Sequence, residues 1–347
     1  MENPEALEAK GKKDPDTACP GQGKFFPPRG QDAAPHGQKN VLHGIISVQH
    51  NIRISVQGGE PCFVNVSRSF PDQTIQVKEM SDSILKEIPQ AYREPCETAG
   101  RLEELKIPEF PDAVVYLPAG YDESACRYPV FYLLHGGGGD PYAFFGEDGI
   151  FKNMIDHMIL SGELRPLIIV APTYYPPGTK GNGIAYSGEA VRAFGPVLLK
   201  TILPIVDGKY RTVAERESRA IGGFSMGAVA TWFVLMAGTD SFHWYMPLSG
   251  DCWICGERGG GLHPKQTAAL LETALKGCRF AIHVLTGDED IAFPNVDPQV
   301  KAMKKIRDVF GKTLKYSVLP GGVHDYPDIR RYIYNALPGF FSANGQL

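Results

Sequence analysis

The run Gly222-Gly-Phe-Ser225-Met-Gly227-Ala228 follows directly on Arg219-Ala-Ile221, a short strand-like segment, and it restricts the possible folds more than any other stretch of the chain. A serine in a G-x-S-x-G frame is the trace of a sharp strand-to-helix turn. Glycines two residues before and after the serine remove side chains that would otherwise collide there. Met226 to Met236 is apolar almost throughout, as a buried helix requires, so the first-turn N–H groups and the positive end of its dipole face the serine. Ser225 is therefore a candidate nucleophile.

From residue 80 onward the chain supplies the sheet such a turn needs. Ala113–Leu117, Tyr128–Leu134, Leu167–Ala171, His243–Leu248, Phe280–Leu285 and Leu314–Leu319 read as strands. Phe151–Leu160, Ala190–Asp207, Lys265–Leu275, Pro298–Phe310 and Ile329–Leu337 read as helices. Apolar strands alternating with helices predict an α/β fold with a mostly parallel central sheet and helices on both faces. Its chemistry is expected at the C-terminal ends of the strands. Upstream, residues 1–41 are rich in Pro, Gly, Lys and Asp without apolar periodicity and are expected to be disordered. Residues 42–79 hold short alternating runs at Ile45–Val48, Ile52–Val56 and Cys62–Ser67, an expected strand-rich extension of unassigned role. The catalytic domain would then be residues 80–347, with Met80 a candidate natural start.

Bulk properties narrow the partners. A net charge of −4 offers no basic stripe for nucleic acid, and no run approaches the length of a membrane-spanning helix. The N-terminus lacks the apolar stretch of a secretory signal. A cytoplasmic protein is expected from the sequence as given, and a secreted one if the sequence is a processed form. Seven scattered cysteines do not form a disulfide framework, and Cys252-Trp-Ile-Cys255 has redox or half-zinc spacing without a second pair, so no metal is expected.

A serine nucleophile needs a base, an acid to orient the base, and donors for the developing oxyanion. Of nine histidines, His324 in Gly321-Gly-Val-His-Asp-Tyr follows the last strand and precedes the final helix, where a base is required. His36, His43 and His50 precede the core, His157 and His263 lie on or beside helices, His283 is inside a strand, and His243 begins one. Thr286-Gly-Asp288-Glu-Asp290-Ile-Ala follows the preceding strand. Asp290, deep enough in the loop to turn back towards a histidine, is the expected acid, with Asp288 in reserve, since spacing does not choose between them. The chain order Ser, Asp, His is that of α/β-hydrolases. Phe131-Tyr-Leu-Leu-His135-Gly-Gly-Gly-Gly139 leaves a strand where hydrolases carry an oxyanion loop, so Met226 and either Gly136 or Gly137 are the expected N–H donors. It lacks the Gly-Lys-Ser/Thr ending of a phosphate loop, and the chemistry requires no cofactor.

These stretches, together with Met246-Pro-Leu-Ser-Gly-Asp-Cys-Trp253 and Arg331-Tyr-Ile-Tyr-Asn-Ala-Leu-Pro-Gly-Phe-Phe341, make the chain from about Ile88 onward resemble the feruloyl esterases of carbohydrate esterase family one, close to the esterase modules of cellulosomal xylanases. The family's usual fourth glycine after the turn is Ala228 here. The resemblance implies an α/β-hydrolase fold and hydrolysis of hydroxycinnamoyl esters of plant cell-wall sugars, or of related small aromatic esters. It also implies that the acid before Ile-Ala, Asp290, is the triad carboxylate, and that Trp253 and Asp251 help to wall the substrate cleft. An acetyl-sugar esterase, a general carboxylesterase of the esterase D type and a non-catalytic binding protein on the same fold are the alternatives.

Overall fold

The computed structural model describes residues 85–179 and 184–341. The expected disordered segment, the strand-rich extension and the Met80 start lie outside the described residues. Among the described residues eight strands form one sheet: β1 (Arg101–Ile107), β2 (Phe110–Leu117), β3 (Val130–Leu134), β4 (Ile168–Ala171), β5 (Arg219–Phe224), β6 (Trp244–Leu248), β7 (Ala281–Gly287) and β8 (Leu314–Leu319). Their order is β1-β2-β4-β3-β5-β6-β7-β8. β2 runs antiparallel to both β1 and β4, and every later neighbour pair is parallel. The sheet is thus mostly parallel, with an antiparallel hairpin at one edge.

The helices are α1 (Ile150–Ser161), α2 (Ile184–Val197), α3 (Leu203–Lys209), α4 (Met226–Ala237), α5 (Gly259–Leu262), α6 (Pro264–Leu275), α7 (Phe293–Met303), α8 (Arg307–Phe310) and α9 (Tyr326–Ala336). Strand side chains alternate between two apolar layers, as a period of two demands. Val130, Tyr132 and Leu134 of β3 join Phe194, Trp232 and Leu271 from α2, α4 and α6. Phe131 and Leu133 join Met154 and Met158 of α1 and Ile329 and Ile333 of α9 on the opposite face. Both faces are therefore dry, which explains the nearly continuous apolar runs of β3 to β6. Among the described residues no helix is long and apolar enough to cross a membrane.

Several elements depart from expectation, α5 among them, which the sequence reading did not include. β1 was not foreseen, because only Leu105 and Ile107 of its seven residues are buried and its charged side chains face water at the sheet edge. The helix expected over 190–207 begins earlier, at Ile184, and is interrupted by a π-helical turn, Leu198–Ile202, before α3. Pro204 has no N–H to give the carbonyl four residues back, and the widened turn precedes it. The helix expected over 298–310 is instead α7 and α8. Pro294 sits in the first turn of α7, where a missing N–H costs nothing.

Candidate active site

Ser225 lies between β5 and α4 with φ 54° and ψ −113°, a conformation that residues with side chains rarely hold. The two framing glycines make it possible. A Cβ on Gly227 would stand 2.5 Å from the Leu134 carbonyl oxygen, and one on Gly223 would stand 2.6 Å from the backbone of Gly227. The end of β3 and the start of α4 thus touch through bare backbone. Ala228 and Val229 N–H donate to the Ser225 carbonyl at 2.9 and 3.1 Å, so the Met226 amide stands ahead of the helical ladder, beside the serine.

His324 arrives from the loop after β8. Its Nε2 lies 3.0 Å from Ser225 Oγ, and its Nδ1 lies 2.7 Å from Asp290 Oδ1. The Asp290 side chain is fully buried, and the same Oδ1 accepts the Ala292 N–H at 2.7 Å. Asp288 is elsewhere: its Oδ1 accepts the Gly321 N–H at 2.6 Å and so ties the loop after β7 to the loop carrying His324. The two loops are joined again where Glu289 N–H donates to the Gly322 carbonyl at 3.1 Å. The structure therefore brings Ser225, His324 and Asp290 into one hydrogen-bonded line and leaves Asp288 as a brace.

The glycine loop after β3 is held from behind. His135 is buried, its Nδ1 2.7 Å from the Gly136 carbonyl oxygen and its Nε2 2.8 Å from Thr173 Oγ1. Burial pushes its pKa down to about 4, so the ring is neutral. Gly136 N–H faces the Tyr326 hydroxyl at 3.3 Å, whereas Gly137 lines a cavity of about 780 Å³ together with Ser225, Met226 and His324. Of the two glycines considered, Gly137 is the one on the cavity wall.

The rest of that wall comes largely from one excursion after β6. Asp251, Trp253, Glu257 and Arg258 line the cavity, as do Val229, Ile291 and Ala292. Asp251 Oδ1 accepts the Trp253 indole N–H at 3.1 Å, and Oδ2 accepts the Gly260 N–H at 2.8 Å. Burial raises the Asp251 carboxyl above its ordinary range in spite of these donors. Gln299 Oε1 receives the Cys252 N–H at 2.7 Å, pinning the excursion to α7. Burial pushes the Cys252 thiol up to about 12. Thr173, Tyr174 and Tyr175, which contact the glycine loop, and the exposed Ile291 at the cavity carry no local pattern that sequence reasoning could have found. Tyr326 lies two residues past His324, and there too no sequence signal marked it.

A serine at the strand-to-helix turn after β5, a histidine after β8, an aspartate after β7 and a glycine loop after β3, all at the C-terminal edge of a largely parallel sheet, define an α/β-hydrolase. The chain belongs to the Esterase family, whose model matches residues 107–309. It is 35% identical over 303 residues to endo-1,4-beta-xylanase Y of Acetivibrio thermocellus, a match covering 81% of this chain and 26% of that protein. The chain therefore spans about a quarter of the length of that curated relative. A serine-to-alanine mutant of the feruloyl esterase module from Clostridium thermocellum, complexed with sinapinate, superposes with a TM-score of 0.66 and 33% identity, over 77% of this chain and 96% of that one. A ferulic acid esterase from the anaerobic fungus Anaeromyces mucronatus shares the fold at 21% identity and a TM-score of 0.61, over 75% and 98% of the two chains.

Proposed function

We propose that the chain is a serine esterase that hydrolyses hydroxycinnamoyl, feruloyl-type esters of plant cell-wall sugars, or small esters of the same acids, through an acyl-enzyme intermediate. The observation that carries this reading is the Ser225–His324–Asp290 line, with contacts of 3.0 and 2.7 Å, opening onto a cavity large enough for an aromatic acyl group. Met226, Val229, Trp253 and Ile291 give the cavity an apolar wall suited to a planar ring. Kinship to the feruloyl esterase module supports the choice of acyl group.

The chemistry follows from the geometry. Asp290 accepts a hydrogen bond from His324 Nδ1–H, which holds the hydrogen on Nδ1 and leaves Nε2 free to take the proton of Ser225. As Oγ attacks the ester carbonyl carbon, the carbonyl oxygen gains negative charge, and the Met226 and Gly137 amides donate to it. Collapse expels the alcohol, which takes the proton from Nε2. A water then loses its proton to His324 and attacks the acyl-serine, and the carboxylic acid leaves with Ser225 restored.

The test is a substrate panel of methyl ferulate, 4-nitrophenyl acetate and acetylated xylan with the wild type and Ser225→Ala. Methyl ferulate is expected to have the highest kcat/KM, and Ser225→Ala is expected to fold and lose turnover. A variant that retains turnover refutes the nucleophile. Preference for the acetyl esters refutes the acyl assignment.

A further inference from the structure

Four consecutive glycines make a poor oxyanion site by themselves. Without side chains, Gly136 to Gly139 can rotate freely, and a peptide that flips presents its carbonyl oxygen to the substrate instead of its N–H. Something outside the loop must fix it. In a trans peptide the C=O and N–H of one unit point in opposite directions, and the unit bearing the Gly137 N–H carries the Gly136 C=O. That carbonyl is gripped from the protein side by three donors: His135 Nδ1 at 2.7 Å, the Tyr174 hydroxyl at 2.9 Å and Gly139 N–H at 3.1 Å. The Gly137 N–H is thereby turned the other way, towards the cavity that Gly137 lines.

Two of the three grips trace to one segment. We infer that Thr173-Tyr174-Tyr175, the turn after β4, is a clamp that positions the oxyanion donor, with the Tyr174 hydroxyl as its central contact; this rests on the esterase reading above. Each residue of the segment holds a different part of the loop. The Gly136 carbonyl can only accept from His135 Nδ1, so the ring hydrogen is on Nδ1 and Nε2 accepts the Thr173 hydroxyl proton at 2.8 Å, while Thr173 Oγ1 accepts the Tyr175 N–H at 3.1 Å. Tyr174 donates to the same carbonyl, and its buried ring lies 4.5 Å from the His135 ring. The Tyr175 hydroxyl accepts the Gly138 N–H at 2.9 Å and pairs with Ser187 Oγ at 2.9 Å. None of the three is placed to exchange a proton with Ser225. They act through the glycine loop and are positioning residues.

Tyr174→Phe keeps the ring and removes the donor. Deleting an oxyanion donor outright costs about 100- to 1000-fold in rate, so a loosened one is expected to cost about ten-fold in kcat for methyl ferulate, with KM within about two-fold. Affinity for an arylboronic acid, which adds Ser225 Oγ to boron and places a boron-bound oxygen where the oxyanion forms, should fall by a similar factor. Inhibition by ferulate, a planar product without an oxyanion, should not change. Rates are taken per active site titrated with a fluorophosphonate probe. A merely structural role would lower the titre and leave kcat per site and boronate affinity as in the wild type, and that result overturns the inference. Should Tyr174→Phe not fold, Thr173→Val removes the donor to His135 and must show the same paired loss; wild-type values there are equally fatal. If instead the wild type hydrolyses neither methyl ferulate nor 4-nitrophenyl acetate, or Ser225→Ala does, the esterase reading itself has failed.

Discussion

Asp290 and Asp288 lie two residues apart, and exchanging each for asparagine separates the work they do. Asp290 Oδ1 receives two N–H groups, from His324 and from Ala292, both at 2.7 Å. An asparagine must either keep its oxygen there or turn its NH2 towards those donors. In the first case the NH2 takes the place of Oδ2, which is buried without a partner, at a cost of about 1–3 kcal/mol for an unsatisfied donor. In the second case His324 moves its hydrogen to Nε2 and donates to Ser225 instead of accepting from it. In both cases the negative charge opposite the forming imidazolium is gone. The same change in a Ser-His-Asp protease costs roughly 10⁴ in kcat, so Asp290→Asn should lose about 10³- to 10⁴-fold, or about 4–5.5 kcal/mol of barrier. Asp288 accepts the Gly321 N–H through Oδ1, a bond that an amide oxygen makes as well. Asp288→Asn should therefore stay within about three-fold of the wild type, as exposed substitutions commonly do. Initial rates on methyl ferulate, per titrated site and alongside thermal melts, measure both. Equal losses in the two variants, or an Asp290→Asn enzyme within about ten-fold of the wild type, would refute the reasoning.

Gly227→Ala sets a Cβ 2.5 Å from the Leu134 carbonyl oxygen and 2.6 Å from that of His135, both backbone atoms, and should cost at least about 3 kcal/mol in urea denaturation or prevent folding. Near-wild-type stability would show that β3 and α4 are not locked together. Trp253→Ala should raise KM for methyl ferulate by about ten-fold or more while changing that for 4-nitrophenyl acetate by less than about two-fold; parallel changes would mean that the indole does not meet the aromatic ring. Burial lowers His135 to about 4 and His283 to about 3 from an ordinary 6.5, so the unfolded chain binds protons before the folded one does. Their contribution to stability is complete above pH 6.5 and is lost as the pH falls through these depressed values. The melting temperature should accordingly drop from pH 6.5 towards 4, and less steeply in His283→Gln; an unchanged slope in that variant contradicts the assignment.

The half of the sheet from β3 to β7 was legible because its strands are buried on both faces and so read as nearly continuous apolar runs. The turn at Ser225 and the loop at His324 were legible because glycine spacing records backbone constraint directly. Spacing alone did not choose between Asp288 and Asp290, since both follow β7 at distances a loop can accommodate; loop depth and the family resemblance favoured Asp290, and the folded path turns that carboxylate onto His324 and the other onto Gly321. β1 was missed because an edge strand that faces water carries Arg, Glu and Lys at positions where an inner strand carries Val or Ile. Thr173 to Tyr175 was missed for a different reason. Tyr174 and Tyr175 meet backbone groups of a loop more than thirty residues upstream, which leave no residue type in the sequence to pair with, and Thr173 meets the His135 ring at a separation no local pattern records.

The excursion between β6 and α6 braces itself, Asp251 against Trp253 and Gly260, and meets α7 through Gln299. Much of the cavity wall comes from that one stretch, while Ser225, Asp290 and His324 sit on the turn after β5 and on two other loops. The two halves of the enzyme can thus drift at different rates. On the proposed reading, substitutions between Asp251 and Arg258 should retune which acid is accepted without moving Ser225, His324 or Asp290. Grafting the corresponding stretch of another esterase would be a direct way to exchange selectivity, provided the partners of Gly260 and Gln299 travel with it.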